Sequence, residues 1–272
     1  MPPNAQAYLI AALPRTGSFR LCELLATTGT AGYPQEYGDA DDRTTWHGHH
    51  GFSHHVAYFH AFFRFCTTPN GVFGAKLMWP QFAALRRDIS AYMRISGRGL
   101  TQFETLIGPV AVIFLQRDNR LAQAISLYRA MATGAWTSRI PAHAAEPPYD
   151  RGAIDRARDM IEANTELWKA FFARNGIVPY RLSYEDIASD PQAVVRRVLD
   201  HLNLPPLGAP WGPGNLRPQA DLRTQCWETR YMSEAIAPTG RPVHEARDGT
   251  GECPGRGRTA GQSPPEHLSD TQ

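Results

Sequence analysis

The sequence predicts an α/β protein in which helices cover both faces of a central, mainly parallel sheet. Continuous apolar runs at residues 8–13 and 109–115 are typical of strands that are buried on both faces. Each run is followed by a stretch in which apolar side chains recur at helical spacing. This alternation of strand and helix is the pattern of three-layer, doubly wound α/β domains.

The first strand leads through the short loop 14–18 into a helix over residues 19–26. The second strand is followed by a helix from about residue 121, in which apolar residues share one face. The pattern predicts four further elements: strand 71–77, helix 154–174, strand 177–183 and helix 191–202 with Asp190 as its N-cap.

The composition places these elements in one domain of residues 1–236. The chain has 272 residues, which is ample for a sizeable core. Residues 237–272 are rich in Gly, Pro, Ser and charged side chains and hold almost no large apolar ones. Such a segment cannot bury enough apolar surface to offset the cost of ordering, so we expect a disordered C-terminal tail.

Charge and cysteine usage exclude several classes of protein. The formal net charge is +2, so no large basic face for nucleic acid is indicated. The four cysteines are scattered without a C-x-x-C pair, which argues against a disulfide scaffold or a structural zinc site and favours a cytoplasmic location. The apolar run 8–13 is too short for a signal sequence or an integral membrane span.

The loop after the first strand has the chemistry of an anion site. In an open parallel sheet, anions bind at the carboxyl ends of strands, against the N-terminus of the following helix. Arg15 supplies a fixed positive charge there, Thr16 and Ser18 supply hydroxyls, and Gly17 permits a tight turn. The loop lacks the lysine and the spacing of a P-loop nucleotide triphosphatase, which weakens a kinase interpretation.

Six segments in order resemble the bacterial sulfotransferases of the trehalose 2-sulfotransferase type. They are PRTGSF at 14–19, GYPQEY at 32–37, FGAKLMW at 73–79, RDNRLAQAIS at 117–126 with TGAW at 133–136, LSYEDIASDP at 182–191, and RPQAD at 217–221 with WETRY at 227–231. The resemblance covers most of residues 7–235. It implies a P-loop-NTPase-like sulfotransferase fold and 3′-phosphoadenosine 5′-phosphosulfate (PAPS) as sulfuryl donor.

The resemblance also implies roles for particular residues. The 5′-phosphosulfate loop corresponds to Arg15, Thr16, Gly17, Ser18 and Phe19, and the pair that holds the 3′-phosphate corresponds to Arg117 and Ser126. Glu36 matches the general base that accepts the proton of an attacking hydroxyl. Relatives usually carry Ser or Thr at the position of Phe19, so a donor hydroxyl is either lost here or replaced by water. No metal is expected, because a sulfuryl group carries less negative charge than a phosphoryl group.

Two other features stay open. Lys76 either assists charge development during transfer or forms an ordinary ion pair at the end of its strand. The histidine-rich segment 47–60 is compatible with plain packing, with contact to an acceptor, or with a metal at His50 and His54.

The sequence therefore predicts an enzyme that moves a sulfuryl group from PAPS to a hydroxyl of a small molecule, most simply a carbohydrate or glycoconjugate. Two alternatives remain: a hydroxyl of a secondary metabolite as acceptor, or a nucleotide-binding or interaction protein of this fold with little turnover. Neither a nucleic acid nor a membrane is an expected partner, and a homodimer is left open.

Overall fold

The computed structural model describes residues 7–36, 61–208, 211–212 and 221–236. Within these ranges a single sheet has the strand order β2-β1-β3-β4, and all of its pairings are parallel. The strands are β1 (Ala7–Ala12), β2 (Phe73–Met78), β3 (Val110–Gln116) and β4 (Tyr180–Ser183). Because the strands are parallel, their carboxyl ends meet at one edge of the sheet.

Strand β1 is central and is buried along its whole length. Its Ile10 pairs with Lys76 of β2 on one side and with Ile113 of β3 on the other. This register places the carboxyl end of β2, where Lys76 lies, beside the loop that leaves β1.

Eight helices have defined bounds in the described ranges, and residues 61–65 are helical as well. They are α1 (Ser18–Ala26), α2 (Trp79–Met93), α3 (Thr101–Ile107), α4 (Arg120–Thr133), α5 (Arg151–Asn175), α6 (Tyr184–Ser189), α7 (Pro191–His201) and α8 (Leu222–Ile236). Chain contacts divide the protein into two units, Met1–Ala220 and Asp221–Gln272. Helix α8 belongs to the second unit and is described by itself.

The sheet is covered on both faces. On one face, alternate residues of β1 and β3 join an apolar cluster with the buried sides of α1, α6 and α7. On the other face, Phe114 of β3 packs edge-on against Phe172 of α5, with ring centroids 5.3 Å apart. Trp168 of α5 stacks on Phe172 and also contacts Phe82 of α2 at 4.9 Å. The three-layer α/β fold predicted from the sequence is confirmed.

The predicted elements are found with small differences in their bounds. The predicted strand 177–183 begins later, at Tyr180, because α5 ends at Gly176 in a left-handed conformation (φ 62°) and Ile177 is still hydrogen-bonded to Phe172. Asp190 caps α7 as expected, since its side chain accepts a hydrogen bond of 2.9 Å from the backbone N–H of Ala193. Helices α2, α3, α6 and α8 were not predicted.

Two of the sequence predictions fall outside the described residues. The histidine-rich segment 47–60 and the tail 237–272 are both among the residues that are not described. No helix in the described ranges is both long enough and apolar enough to cross a membrane. The predicted domain limit at residue 236 stays a prediction.

Candidate active site

The loop between β1 and α1 has an unusual backbone. Gly17 (φ 72°) and Arg15 (φ 63°) are both left-handed, while Thr16 between them is not. Alternation of this kind turns successive N–H groups into one concave surface, which is an anion-binding arrangement. For Arg15, which has a Cβ atom, the left-handed conformation costs about 1–2 kcal/mol. Surrounding groups must therefore hold the loop in place.

Gln123 of α4 and Arg117, which directly follows β3, supply that support. Gln123 donates a hydrogen bond of 2.7 Å to the carbonyl of Pro14, and Arg117 donates one of 3.3 Å to the carbonyl of Arg15. Inside the loop, the buried Thr16 hydroxyl donates to the carbonyl of Leu13 at 2.8 Å, so it braces the turn. These three hydrogen bonds hold the backbone carbonyls of Leu13, Pro14 and Arg15, and so fix the conformation of the loop.

Arg15, Arg117 and Ser126 form one cluster, which brings the loop residue Arg15 next to the pair that the resemblance assigns to the 3′-phosphate. Arg15 Nε donates to Ser126 Oγ at 2.8 Å. Arg117 is buried and joins the cluster through the backbone of Arg15. Burial first, and then the positive charge of Arg117, lower the pKa of Arg15 to about 10. Arg15 is still a cation at neutral pH, so the loop lies in a strongly positive environment.

Tyr184 contributes to this cluster and was not assigned a role from the sequence. Its ring lies under the guanidinium of Arg117, with the central carbon 4.3 Å from the ring centroid. The same ring occupies the space beside Gly17, where a Cβ atom would lie 2.9 Å from it. Tyr184 is the first residue of α6, directly after β4, and Ser183 and Asp186 on either side of it form a capping box. That sequence signature of a helix start is the signal that could have predicted the position of Tyr184.

Glu36 lies in a second cluster, which we call the Glu36 cluster and define as Glu36, Lys76, Gln81 and Phe19. Lys76 is fully buried and forms an ion pair with Glu36. Gln81 Nε2 donates to the other carboxylate oxygen of Glu36 at 2.6 Å. The ring of Phe19 covers Lys76, whose Nζ is 3.7 Å from the ring centroid.

The backbone explains why Glu36 reaches this position. Residues 32–36 run beside β2, and the N–H of Lys76 donates to the carbonyl of Gln35 at 3.1 Å. Gly32 (φ 72°) starts this stretch, and a Cβ atom there would lie 2.7 Å from the backbone nitrogen of Gly74. Glycine is required at position 32 both for its conformation and for this close approach.

Electrostatics in the Glu36 cluster are dominated by burial. Desolvation lowers the pKa of Lys76 from 10.5 to about 7. The neighbouring Cys22 acts in the opposite direction and raises this pKa slightly. The strand-end ion pair proposed for Lys76 is observed, and its partner is the predicted base.

Phe19 belongs to the predicted donor loop by sequence and to the Glu36 cluster by contact. It follows Ser18 at the start of α1, and its ring contacts Lys76 of β2. The predicted site residues thus fall into two groups. Arg15, Thr16, Gly17, Ser18, Arg117 and Ser126 lie in or beside the β1–α1 loop, and Phe19 and Glu36 lie in the Glu36 cluster.

The segment between α4 and α5 lies against the first cluster. The carbonyl of Trp136 accepts a hydrogen bond from Arg15, and Arg139 forms an ion pair with Glu23 of α1. Arg129 of α4 binds both carboxylate oxygens of Glu146, at 3.0 and 2.8 Å. This segment includes the TGAW residues that the sequence analysis singled out.

No group of three or more His, Cys, Asp or Glu side chains within the described ranges could hold a metal ion. His50 and His54 lie outside those ranges, and a metal at these two residues stays a prediction from the sequence.

The fold and these two clusters define the class of protein. The chain belongs to the Stf0 sulphotransferase family, whose model matches residues 7–234. The resemblance drawn from the six sequence segments is thus confirmed.

Two curated relatives cover most of the chain. Trehalose 2-sulfotransferase of Mycolicibacterium smegmatis is 30% identical over 262 residues, and that of Mycobacterium tuberculosis is 31% identical over the same length. Each alignment spans 86% of this chain and 97% of the relative. A crystal structure of a sulfotransferase from Alicyclobacillus acidocaldarius matches 85% of this chain and 93% of its own with 14% identity and a TM-score of 0.41.

Proposed function

We propose that this protein transfers a sulfuryl group from PAPS to a hydroxyl of a carbohydrate or glycoconjugate. Family membership supports sulfuryl transfer, and two relatives named for sulfation of trehalose support a sugar as acceptor. The observation that carries the proposal is the juxtaposition along one sheet edge of a positive, left-handed loop and a fixed carboxylate. The first suits an anionic donor, and the second suits a hydroxyl acceptor.

The donor binds at the first cluster. PAPS supplies the sulfuryl group and leaves as adenosine 3′,5′-bisphosphate. The N–H groups of the β1–α1 loop and the guanidinium of Arg15 bind its 5′-phosphosulfate, with Ser18 at the helix start. Arg117 and Ser126 bind the 3′-phosphate, which distinguishes this donor from an ordinary nucleotide. Arg15 also stabilises the negative charge that develops on the phosphate oxygen when the S–O bond breaks.

The acceptor proton goes to Glu36. A sugar hydroxyl is a weak acid, so it requires a base as its oxygen attacks the sulfur in line. The ion pair with the buried Lys76 holds the Glu36 carboxylate at the position from which it accepts this proton. Most of the rate enhancement then comes from positioning and charge stabilisation, and the proposal includes no metal ion.

The cytoplasmic location and the homodimer stay predictions from the sequence. A hydroxyl of a secondary metabolite is the alternative acceptor, and screening with PAPS distinguishes it from a sugar.

Calorimetric titration with adenosine 3′,5′-bisphosphate tests the donor site, with AMP and ATP as controls. We expect micromolar binding of the bisphosphate and much weaker binding of AMP. Arg117→Ala should weaken this binding about tenfold or more, because a charge-assisted hydrogen bond to phosphate is lost. Arg87→Ala is the matched control, since Arg87 of α2 is 77% exposed and should leave the affinity unchanged.

Glu36→Ala separates binding from chemistry. We expect it to retain bisphosphate affinity while turnover of PAPS with trehalose falls on the order of a hundredfold or more. Equal losses of donor affinity in Arg117→Ala and Glu36→Ala would contradict this division of roles. Bisphosphate binding without turnover of any hydroxyl acceptor would support the alternative of a binding protein.

A further inference from the structure

Gln81 is held in one orientation by two hydrogen bonds. Its Oε1 accepts from the backbone N–H of Met78 at 2.8 Å, and its Nε2 donates to Glu36 Oε1 at 2.6 Å. A backbone N–H can only donate, so the amide oxygen must face Met78 and the amide nitrogen must face Glu36. Gln81 is therefore a donor aimed at one carboxylate oxygen.

The other oxygen of Glu36 is held by Lys76. Lys76 comes from the end of β2, and Gln81 comes from the first turn of α2, which follows β2 directly. Each carboxylate oxygen can accept more than one hydrogen bond, so both still have capacity for an incoming hydroxyl. The two donors fix the plane of the carboxylate and hence the edge that it presents.

We propose that Gln81 is a positioning residue that orients the Glu36 carboxylate toward the acceptor hydroxyl. This inference rests on the proposed function of Glu36 as general base. Gln81 itself contacts neither donor nor acceptor. Its effect on the rate comes from holding the base in the geometry that proton transfer requires.

The capping bond alone does not account for the glutamine. Capping of α2 requires an acceptor for the N–H of Met78, and a glutamate at position 81 would supply one equally well. The amide nitrogen adds the donor that reaches Glu36. Gln81→Glu therefore removes the donor while keeping the cap, whereas Gln81→Met removes both.

These two variants test the proposal with PAPS and trehalose. We expect kcat to fall tenfold to a hundredfold, in order of magnitude, in both variants, with bisphosphate affinity within about twofold of the wild type. The Tm should fall by about 2–4 °C in both variants, because Gln81→Met loses the cap and Gln81→Glu brings two carboxylates together. A cap without a positioning role predicts that Gln81→Met loses stability but keeps wild-type kcat when assayed well below its Tm, and that result would overturn the proposal.

The pH profile gives a second readout. In Gln81→Glu two carboxyl groups meet, and they share a proton at acidic pH, so the acidic limb of kcat should move up by about one pH unit or more. The other charged group that contacts Glu36 among the described residues is Lys76 of β2, which in turn interacts with the thiol of Cys22 of α1. Both are unchanged in the variant, so a shift of the limb is assigned to position 81.

The inference can fail separately from the proposed function. If the wild type does not turn over trehalose, the Glu36 carboxyl is followed by ¹³C NMR in protein labelled at the glutamate side-chain carboxyl, with Glu36→Gln used to assign its signal. A titration midpoint that rises in Gln81→Met, which loses the hydrogen bond to Glu36 without adding a charge, supports the orienting contact without any acceptor. An unchanged midpoint overturns the inference, whereas absent bisphosphate binding in the wild type overturns the proposed donor site alone.

Discussion

Phe19 is the residue at which the chain departs from the expected donor loop, and the structure gives its ring a contact. The ring covers the Lys76 ammonium, a cation–π interaction that contributes about 0.5–2 kcal/mol. The same ring keeps water away from a cation whose pKa burial has already lowered to about 7. Phe19 thus acts on the Glu36 cluster, whatever it does for the donor.

Phe19→Ser should therefore shift the alkaline limb of the pH–rate profile. Loss of the cation–π contact disfavours the ammonium, but water admitted to Lys76 stabilises it more, because burial is the largest cause of the lowered pKa; the pKa of Lys76 therefore rises from about 7 toward its ordinary value. The ion pair with Glu36 then persists to higher pH, and we expect the limb to move up by about one unit or more. The measurement is kcat against pH with PAPS and trehalose.

Phe19→Leu is the matched control for that experiment. It retains apolar cover and loses the aromatic face, so its limb should move less than that of Phe19→Ser. Superimposable limbs in all three proteins would show that Phe19 does not govern Lys76. Bisphosphate affinity in the same variants tests the separate sequence prediction that a hydroxyl at position 19 strengthens donor binding.

Individual site residues differ in how far the sequence could predict them. The positions of Arg15 and Gly17 could be predicted, because they depend on a local turn between a strand and a helix. The pairing of Glu36 with Lys76 was not, because it joins residues 40 positions apart and depends on a backbone bond from Lys76 to Gln35. No periodicity or spacing in the sequence encodes a contact of that kind.

At the scale of the element, the β1–α1 loop depends on Gly17 in two ways. Its φ of 72° disfavours any residue with a Cβ atom, and the Tyr184 ring leaves no room for one. Gly29 has a similar φ of 67°, with nothing within 4 Å of a Cβ atom. Both glycines therefore have a left-handed backbone that disfavours a Cβ atom, but only at Gly17 would a Cβ atom also collide with a neighbouring side chain.

Gly17→Ala should cost more stability than Gly29→Ala and should also reduce donor binding. We expect Gly29→Ala to lose about 1–2 kcal/mol from its left-handed backbone alone. Gly17→Ala should lose about 1–3 kcal/mol beyond that, because the ring of Tyr184 must move. Urea denaturation measures the first effect and calorimetry with the bisphosphate measures the second. Equal losses of stability, with wild-type binding in both, would contradict this account of the loop.

Most elements around the sheet were predicted because their signals are local. Strands β1 and β3 are continuous apolar runs, and α5 repeats apolar residues at three and four over 25 residues. Helix α2 was missed although Phe82, Leu85 and Ile89 line its buried side. Charged and small residues separate those three, and its start was hidden by Trp79 and Pro80, which directly follow β2 and belong to the first turn of the helix.

At the scale of the whole molecule, one core couples several buried titratable groups. Burial raises the pKa of Cys22 from 9.0 to about 12 and raises the pKa values of Cys66 and Tyr8 well above their ordinary range. Burial lowers the pKa of Lys76 from 10.5 to about 7. Stability must therefore depend on pH in opposite directions over different windows.

Between about pH 7 and 9 the free energy of unfolding should rise, because the unfolded chain holds the Lys76 proton that the folded protein has released. Above pH 9 the unfolded chain releases the protons of Cys22 and Cys66, which the folded protein retains up to about pH 12 in the case of Cys22. Between about pH 9 and 10 the two thiols outweigh the one amine, so stability should fall by about 1.4 kcal/mol per pH unit. Above pH 10 the fall should be steeper, because the folded protein also retains the proton of Tyr8.

Urea denaturation from pH 7 to 11 in the presence of a reductant measures this curve, and we expect its maximum near pH 9. Cys22→Ala should flatten the descent above pH 9, because one of the two retained protons is gone. Cys226→Ala is the control, since Cys226 is only half-buried and should leave the shape unchanged. A descent equally steep in Cys22→Ala and in the wild type would mean that the buried thiol does not retain its proton. That result would mean that water reaches the core around Cys22 and Lys76 more readily than the burial of these side chains indicates.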